Sequence, residues 1–440
     1  MQTVDMIINA RWLVPVSAAQ QVLENQAIII KDSRIVALLP IEKAKQQYSA
    51  VSIHDMDQHC LIPGLINNHA HSAMSLFRGL ADDLPLMSWL NDHIWPAEGR
   101  FVGDSFVEAG TALAVAEMLR GGTTCVNDMY FFPEATARVI DKSGMRASLG
   151  MLVIEFPTNW AANVDEYLHK GQQLHDRYRH HTRISTSYAP HAPYTVTNKT
   201  FESILINAEE MDLPIHMHVH ETAAEISASI EEFGMRPLER LREIGLLSPR
   251  LLAVHMTQLI DQEMDWCSEA GVHIVHCPES NLKLASGFCP VAELDRRGVN
   301  ISIGTDGAAS NNDLDMFGEM RQAALLAKAV AKDPSSIPAY KALEMATINA
   351  AKSMAMDDAI GSIEVGKFAD LVAVDMHSIE TQPFYDVVSQ LVYATGRDKV
   401  TDVWVAGKQL LKDRQLTTLD ESKVIKDARQ WANSIKQAEQ

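Results

Sequence analysis

Pro63-Gly64-Leu65-Ile66-Asn67-Asn68-His69-Ala70-His71 is a short apolar strand that ends in two histidines two residues apart. Side chains on a strand alternate faces, so His69 and His71 point the same way. Upstream, residues 1 to about 60 hold only short β-rich runs, Met6-Ile7-Ile8, residues 27–30 and residues 35–39, broken by turns such as Lys31-Asp32-Ser33-Arg34. These read as hairpins. Downstream the grain changes, because short apolar strands alternate with longer helical stretches to about residue 355, the pattern of βαβ units on a parallel sheet.

The candidate strands fall at 64–68, 125–129, 147–154, 184–188, 215–220, 251–255, 272–276 and 301–305. Eight is the number that closes a (β/α)8 barrel of the TIM type, an α/β fold. One intervening helix is well marked: Asp104 or Ser105 caps it, Val107, Leu113, Val115 and Leu119 give its apolar face, and Gly121-Gly122 ends it. Residues 312–332 form another, stopping before Pro334. Strands return at 369–374 and 400–405, followed by the turn Ala406-Gly407-Lys408, and an amphipathic closing stretch from 421 to 440 reads as a surface helix. The expected division is therefore 1–60 and 361–440 as two parts of one small composite β-sandwich, flanking a barrel over 61–360.

The chain has 440 residues, 47% of them hydrophobic and 22% charged, an ordinary globular composition that excludes disordered and low-complexity classes. Asp plus Glu outnumber Lys plus Arg by 57 to 38, and a net charge of −19 repels phosphate backbones and anionic headgroups. No nucleic-acid polymer and no membrane is expected as a partner. The start, MQTVDMIINARWLVPV, reads as a strand and not as a signal peptide, and no stretch reaches the roughly 18 apolar residues of a span. Five scattered cysteines without a C-x-x-C pair argue against a disulfide framework and a thiolate zinc site. A cytoplasmic location is the expectation.

Position separates some of the seventeen histidines from the rest. His69 and His71 end a barrel strand, and the C-terminal rim is where such a fold keeps its chemistry. In Ile215-His216-Met217-His218-Val219-His220-Glu221 three histidines alternate with three apolar residues, which places Ile215, Met217 and Val219 outward and His216, His218 and His220 inward. Three buried imidazoles each need hydrogen-bond partners, and periodicity does not say which of them binds a metal. His255 and Asp306 end two further strands, and Asp306 also reads as a cap for Gly307-Ala308-Ala309-Ser310. Imidazole and carboxylate ligands without thiolate suit Zn or Fe(II), and a hydrolytic metal site accounts for the set.

The motifs PGLINNHAH, HVHET, AVHMTQL, VHCPESNLKL and GTDGAASNN, in that order, resemble those of the amidohydrolase superfamily in its chlorohydrolase and aminohydrolase branch. The stretch LMSWLNDHIWPAE, residues 86–98, is similar to that of the 5′-methylthioadenosine/S-adenosylhomocysteine deaminases. This resemblance covers essentially the whole chain. It implies a metal shell of His69, His71, His218 and Asp306, with Glu221 as acid and base and His255 beside the reactive water. Asp306 and Glu221 would also touch the substrate, Glu98 would hold ribose hydroxyls, and His191 would touch the nucleoside. His216 and His220 become supporting or packing residues, while His276 and Asn281 are read as lining the site.

Binuclear relatives bridge two metals with a modified lysine on the fourth strand, and Arg183-Ile184-Ser185-Thr186-Ser187-Tyr188 has none, so one divalent ion per chain is expected, zinc before iron. The P-C-x-x-C signature of cytidine-type zinc deaminases is absent too. The implied reaction is hydrolytic deamination of 5′-methylthioadenosine, with S-adenosylhomocysteine or adenosine as further substrates, by a homo-oligomer. Alternatives are deamination of a free base such as guanine or cytosine, triazine chloro- or aminohydrolysis, and a non-catalytic metal scaffold. Residues 150–160 lack arginine and carry Met151, Phe156 and Trp160, so an apolar loop over the sulfur substituent is expected to favour a methyl group.

Overall fold

The computed structural model describes residues 1–383 and 385–438. In chain order its strands are β1 (Gln2–Leu13), β2 (Leu23–Lys31), β3 (Arg34–Pro40), β4 (Tyr48–Pro63), β5 (Leu65–Ala70), β6 (Thr123–Asp128), β7 (Arg146–Val153) and β8 (Ile184–Pro190). There follow β9 (Ile215–Val219), β10 (Leu251–His255), β11 (His273–His276), β12 (Ile301–Ile303), β13 (Leu371–Asp375), β14 (Val400–Val405), β15 (Lys408–Lys412) and β16 (Gln415–Leu416).

Strands β5 to β12 make one eight-stranded sheet in chain order. Every residue of β5 and of β7 is buried, as a strand must be when one face fills a barrel and the other is covered by helices. The two ends of this sheet meet. The Asp306 backbone N–H donates to the His69 carbonyl at 2.9 Å, and the Thr305 N–H to Oδ1 of Asn67 at 3.0 Å. That approach requires glycine at 304, where a Cβ atom would stand 2.6 Å from the His69 nitrogen.

The remaining strands form a mixed sheet in the order β16-β15-β14-β13-β4-β1-β2-β3, drawn from both ends of the chain. Strand β4 ties it together, because it pairs in parallel with β1, pairs at its end antiparallel with β13, and runs on into the barrel. One face buries Ile8, Ile28, Leu371 and Trp404, and the other buries Val4, Ile7 and Ile29 with Ala44. A buried ion pair fastens the sheet to the barrel: Arg146 on β7 reaches both carboxylate oxygens of Asp370, at 2.9 and 3.1 Å.

Three local expectations change. The helix Asp104–Arg120 begins after an extended Gly103 with no side-chain cap, since the Asp104 carboxylate is bonded to Arg138 instead. The helix expected from 312 begins only at Met316, where the Asp315 carboxylate accepts the Phe317 N–H at 2.9 Å. The terminal sheet is not all hairpins, because the helix Ile41–Gln47 carries the chain back so that β4 runs parallel to β1. Among the described residues no helix is long and apolar enough to cross a membrane.

Candidate functional site

The C-terminal ends of the barrel strands open into a cavity of about 420 Å³. His69 lies on β5, His71 just beyond it, His218 on β9, and Asp306 beyond β12. Nε2 of His218 stands 3.2 Å from Nε2 of His69 and 3.3 Å from that of His71. Oδ1 of Asp306 stands 3.4 and 3.2 Å from the same two nitrogens. All four atoms lie within 4.8 Å of one another, close enough for one divalent ion to be shared at bonds of about 2.0–2.2 Å.

The far side of each of these side chains is fixed. Nδ1 of His71 meets the Met129 carbonyl at 2.5 Å, and Nδ1 of His218 meets the His191 carbonyl at 2.7 Å. Nδ1 of His69 meets Nε2 of His216 at 2.9 Å. All three rings therefore turn Nε2 inward, the role that partners behind a metal ligand play. Oδ2 of Asp306 accepts the hydroxyls of Ser280 at 2.6 Å and Ser310 at 2.9 Å, while Oδ1 faces the imidazoles and accepts the Gly307 N–H at 2.7 Å. Burial pushes the Asp306 carboxyl up, yet His69 and His71 hold it well below the usual carboxylate range.

Glu221 is buried beside this cluster, with Oε2 at 3.8 Å from Nε2 of His255. Burial raises its carboxyl, the direction that favours the protonated form. Its main chain is tightly held: the Glu225 carboxylate accepts the N–H of His220 at 3.0 Å and that of Glu221 at 2.7 Å, and the Thr257 hydroxyl donates to the Glu221 carbonyl. The His255 ring stacks on that of His218, and its Nδ1 meets Oδ1 of Asn281 at 2.9 Å. His220, His255 and Asp306 all have left-handed backbones, with φ of 55°, 75° and 63°. Such strain costs about 1–3 kcal/mol per residue and gathers where side chains are aimed for function.

The positive φ also breaks the alternation expected along β9. His216 and His218 point inward, but the His220 ring turns to the helical layer, where its Nε2 accepts the Leu238 N–H at 3.1 Å and its Nδ1 lies 3.7 Å from Glu263. His216 and His220 are thus supporting residues on opposite sides of the strand.

Across the cavity stands Glu98, from the helix Trp95–Phe101, whose Oε1 accepts the Tyr130 hydroxyl at 2.7 Å. Burial lifts its carboxyl to about 7, against the downward pull of Tyr130 and His71. His191 lines the same space, with Nδ1 at 3.1 Å from the Thr195 hydroxyl. An apolar wall of Trp89, Leu90, Ile94, Trp95, Leu152, Ile154 and Phe156 also lines the cavity, and among the described residues no arginine or lysine does.

Four sequence expectations need correction. Met151 packs against Gly171 and Trp160 against Tyr167, so of the three residues expected over the substituent only Phe156 reaches the cavity. His276 and Asn281 line a small separate void behind the wall, and Asn281 acts through His255. Sequence reading missed Tyr130, Ser280, Ser310 and Glu225. Only Glu225 had a usable signal, since Thr222 and Glu225 have the spacing of a helix capping box.

The amidohydrolase family model matches residues 60–410. The chain is 48% identical over 431 residues, 98% of this chain and 97% of the other, to a 5-methylthioadenosine/S-adenosylhomocysteine deaminase of Saccharophagus degradans. It is 39% identical over 433 residues, 98% of each, to a 5′-deoxyadenosine deaminase of Methanosarcina mazei. Among solved structures it matches an adenosine deaminase from Xanthomonas campestris with bound zinc, at a TM-score of 0.98 and 51% identity over 99% of each chain.

Proposed function

Because the chain belongs to the amidohydrolase family, we propose that it is a metal-dependent hydrolase that deaminates 5′-methylthioadenosine and related adenosine-type nucleosides to the inosine analogue and ammonia. The observation that carries the reading is the pairing, in one cavity, of the shell His69, His71, His218 and Asp306 with a buried carboxylate, Glu98, across from it. The near-full-length similarity to nucleoside deaminases supports the same chemistry.

The four ligands would hold one divalent ion, zinc by the kinship with a zinc-bound relative. Such an ion supplies Lewis acidity that brings water within reach of deprotonation near neutral pH. Glu221 takes that proton and delivers it to purine N1, which makes C6 more electrophilic as the water oxygen attacks. Its raised carboxyl suits a group that must hold the proton between the two transfers. His255, fixed through Asn281, orients the attacking oxygen. Asp306, held by two serine hydroxyls on Oδ2 and by the Gly307 N–H on Oδ1, accepts the remaining water proton and passes it to departing ammonia.

Glu98 accepts ribose hydroxyls, and His191 contacts the nucleoside. The apolar wall, with no cationic side chain among its described residues, receives the 5′ substituent. Burying a carboxylate there without a partner would be costly, so a methylthio group fits better than a zwitterionic amino-acid end.

Free-base deamination is the competing reading, and Glu98 speaks against it because a free base carries no diol. The test is steady-state kinetics on a panel of nucleosides and free bases, read as ammonia release. The proposal expects 5′-methylthioadenosine and adenosine to exceed adenine and guanine. Faster turnover of a free base than of any nucleoside would contradict it.

A further inference from the structure

Three consecutive residues at the end of β6, Asp128 to Tyr130, touch three different parts of the site. Oδ1 of Asp128 accepts the Ser72 N–H at 2.7 Å, the Met129 carbonyl meets Nδ1 of His71 at 2.5 Å, and the Tyr130 hydroxyl donates to Oε1 of Glu98 at 2.7 Å. The loop thus sets the ligand His71 and the carboxylate Glu98 in one frame. We propose that Tyr130 is a positioning residue for ribose recognition: by holding Oε1 of Glu98 it leaves Oε2 and the free lone pairs aimed at the hydroxyls of the sugar. The inference rests on the reading of Glu98 as the ribose anchor.

Four observations carry it. Tyr130 is 4% exposed, its ring lies 5.2 Å from that of Phe131, and it belongs to the same buried apolar cluster as Phe77 and Trp89, so the hydroxyl has a fixed origin. Its hydrogen bond to Glu98 is the only one its oxygen makes among the described residues. Oε2 of Glu98 has no hydrogen-bond partner among the described residues, and both side chains line the cavity. An unanchored glutamate would lose rotamer freedom on binding, whereas one already held by a phenol is pre-organised.

Tyr130→Phe removes one oxygen and keeps the buried ring. The holoenzyme and this variant are compared on adenosine and 2′,3′-dideoxyadenosine, in the wild-type and the Glu98→Ala background, with metal content and melting temperature measured alongside. The expected result is a KM for adenosine raised about tenfold with kcat little changed, and little change in kcat/KM for the dideoxy nucleoside. Tyr130→Phe should have no further effect once Glu98 is alanine. A merely structural role would lower both substrates equally, or persist in the Glu98→Ala background, and either result overturns the proposal. Glu98→Ala alone separates the two layers. If it fails to distinguish the two nucleosides, the ribose reading of Glu98 falls and Tyr130 with it; if it distinguishes them and Tyr130→Phe does not, only the Tyr130 assignment falls.

Discussion

Oε2 of Glu221 lies 3.8 Å from Nε2 of His255. That is too long for a direct hydrogen bond and short enough for one oxygen atom to touch both groups. The proton shuttle assigned to Glu221 depends on this spacing. Glu221→Gln keeps the shape and removes the base, so turnover should fall about 10²–10⁴-fold with the metal retained. His220→Asn should be far milder, because that ring faces Leu238 and Glu263 outside the barrel. Steady-state kinetics with metal analysis checks both, and the reverse order of effects would move the acid–base role off Glu221.

Metal content follows from the ligand set. Purified protein should carry about one divalent ion per chain, since His69, His71, His218 and Asp306 converge as a single group of four potential ligands. Chelation should abolish activity and added zinc should restore it. Two tightly bound ions, both needed for turnover, would contradict the single-metal assignment.

Selectivity at the 5′ end follows from the wall of Trp89, Ile94, Leu152, Ile154 and Phe156. A charged hydrogen bond is worth roughly 1.5–3 kcal/mol, so without an arginine to meet the homocysteine carboxylate kcat/KM should favour 5′-methylthioadenosine over S-adenosylhomocysteine by about tenfold or more. Side-by-side kinetics at one pH and salt decides it, and equal or inverted constants would mean that this wall does not select.

The buried Arg146–Asp370 pair is 5% and 3% exposed, and Asp370 also accepts the Ala406 N–H at 2.7 Å. Removing the cation leaves a carboxylate buried between barrel and terminal sheet. Arg146→Ala should therefore lower stability by about 3–5 kcal/mol, read as a shift in denaturant unfolding. A loss within the range of an exposed pair, about 1 kcal/mol or less, would show that the two sheets do not depend on this contact.

Strand periodicity made the barrel legible, because eight apolar runs alternate with helices and His69 and His71 close the first run on one face. It failed at His220, where a left-handed φ of 55° turns the ring away, and periodicity carries no information about such a turn. The cap of the helix Asp104–Arg120 was misread for a related reason, since Arg138, far along the chain, claims the Asp104 carboxylate. Tyr130 and Ser280 were invisible because each matters through one hydrogen bond to a residue far along the chain, and Ser310, four residues from Asp306, because it belongs to no periodic pattern. Phe156 was placed correctly over the cavity, whereas Met151 and Trp160 became core.

On this reading water replaces the exocyclic amine of an adenosine-type nucleoside where Glu221 meets His69, His71, His218 and Asp306. The direct measurement incubates zinc-loaded protein with 5′-methylthioadenosine in isotopically labelled water and follows ammonia and the nucleoside product together. The expected outcome is one ammonia per inosine analogue, solvent oxygen at C6 and an intact glycosidic bond, with formation of ammonia and product slowed about 10²–10⁴-fold in Glu221→Gln. Release of free base, or no ammonia from any nucleoside by the metal-replete protein, would contradict it.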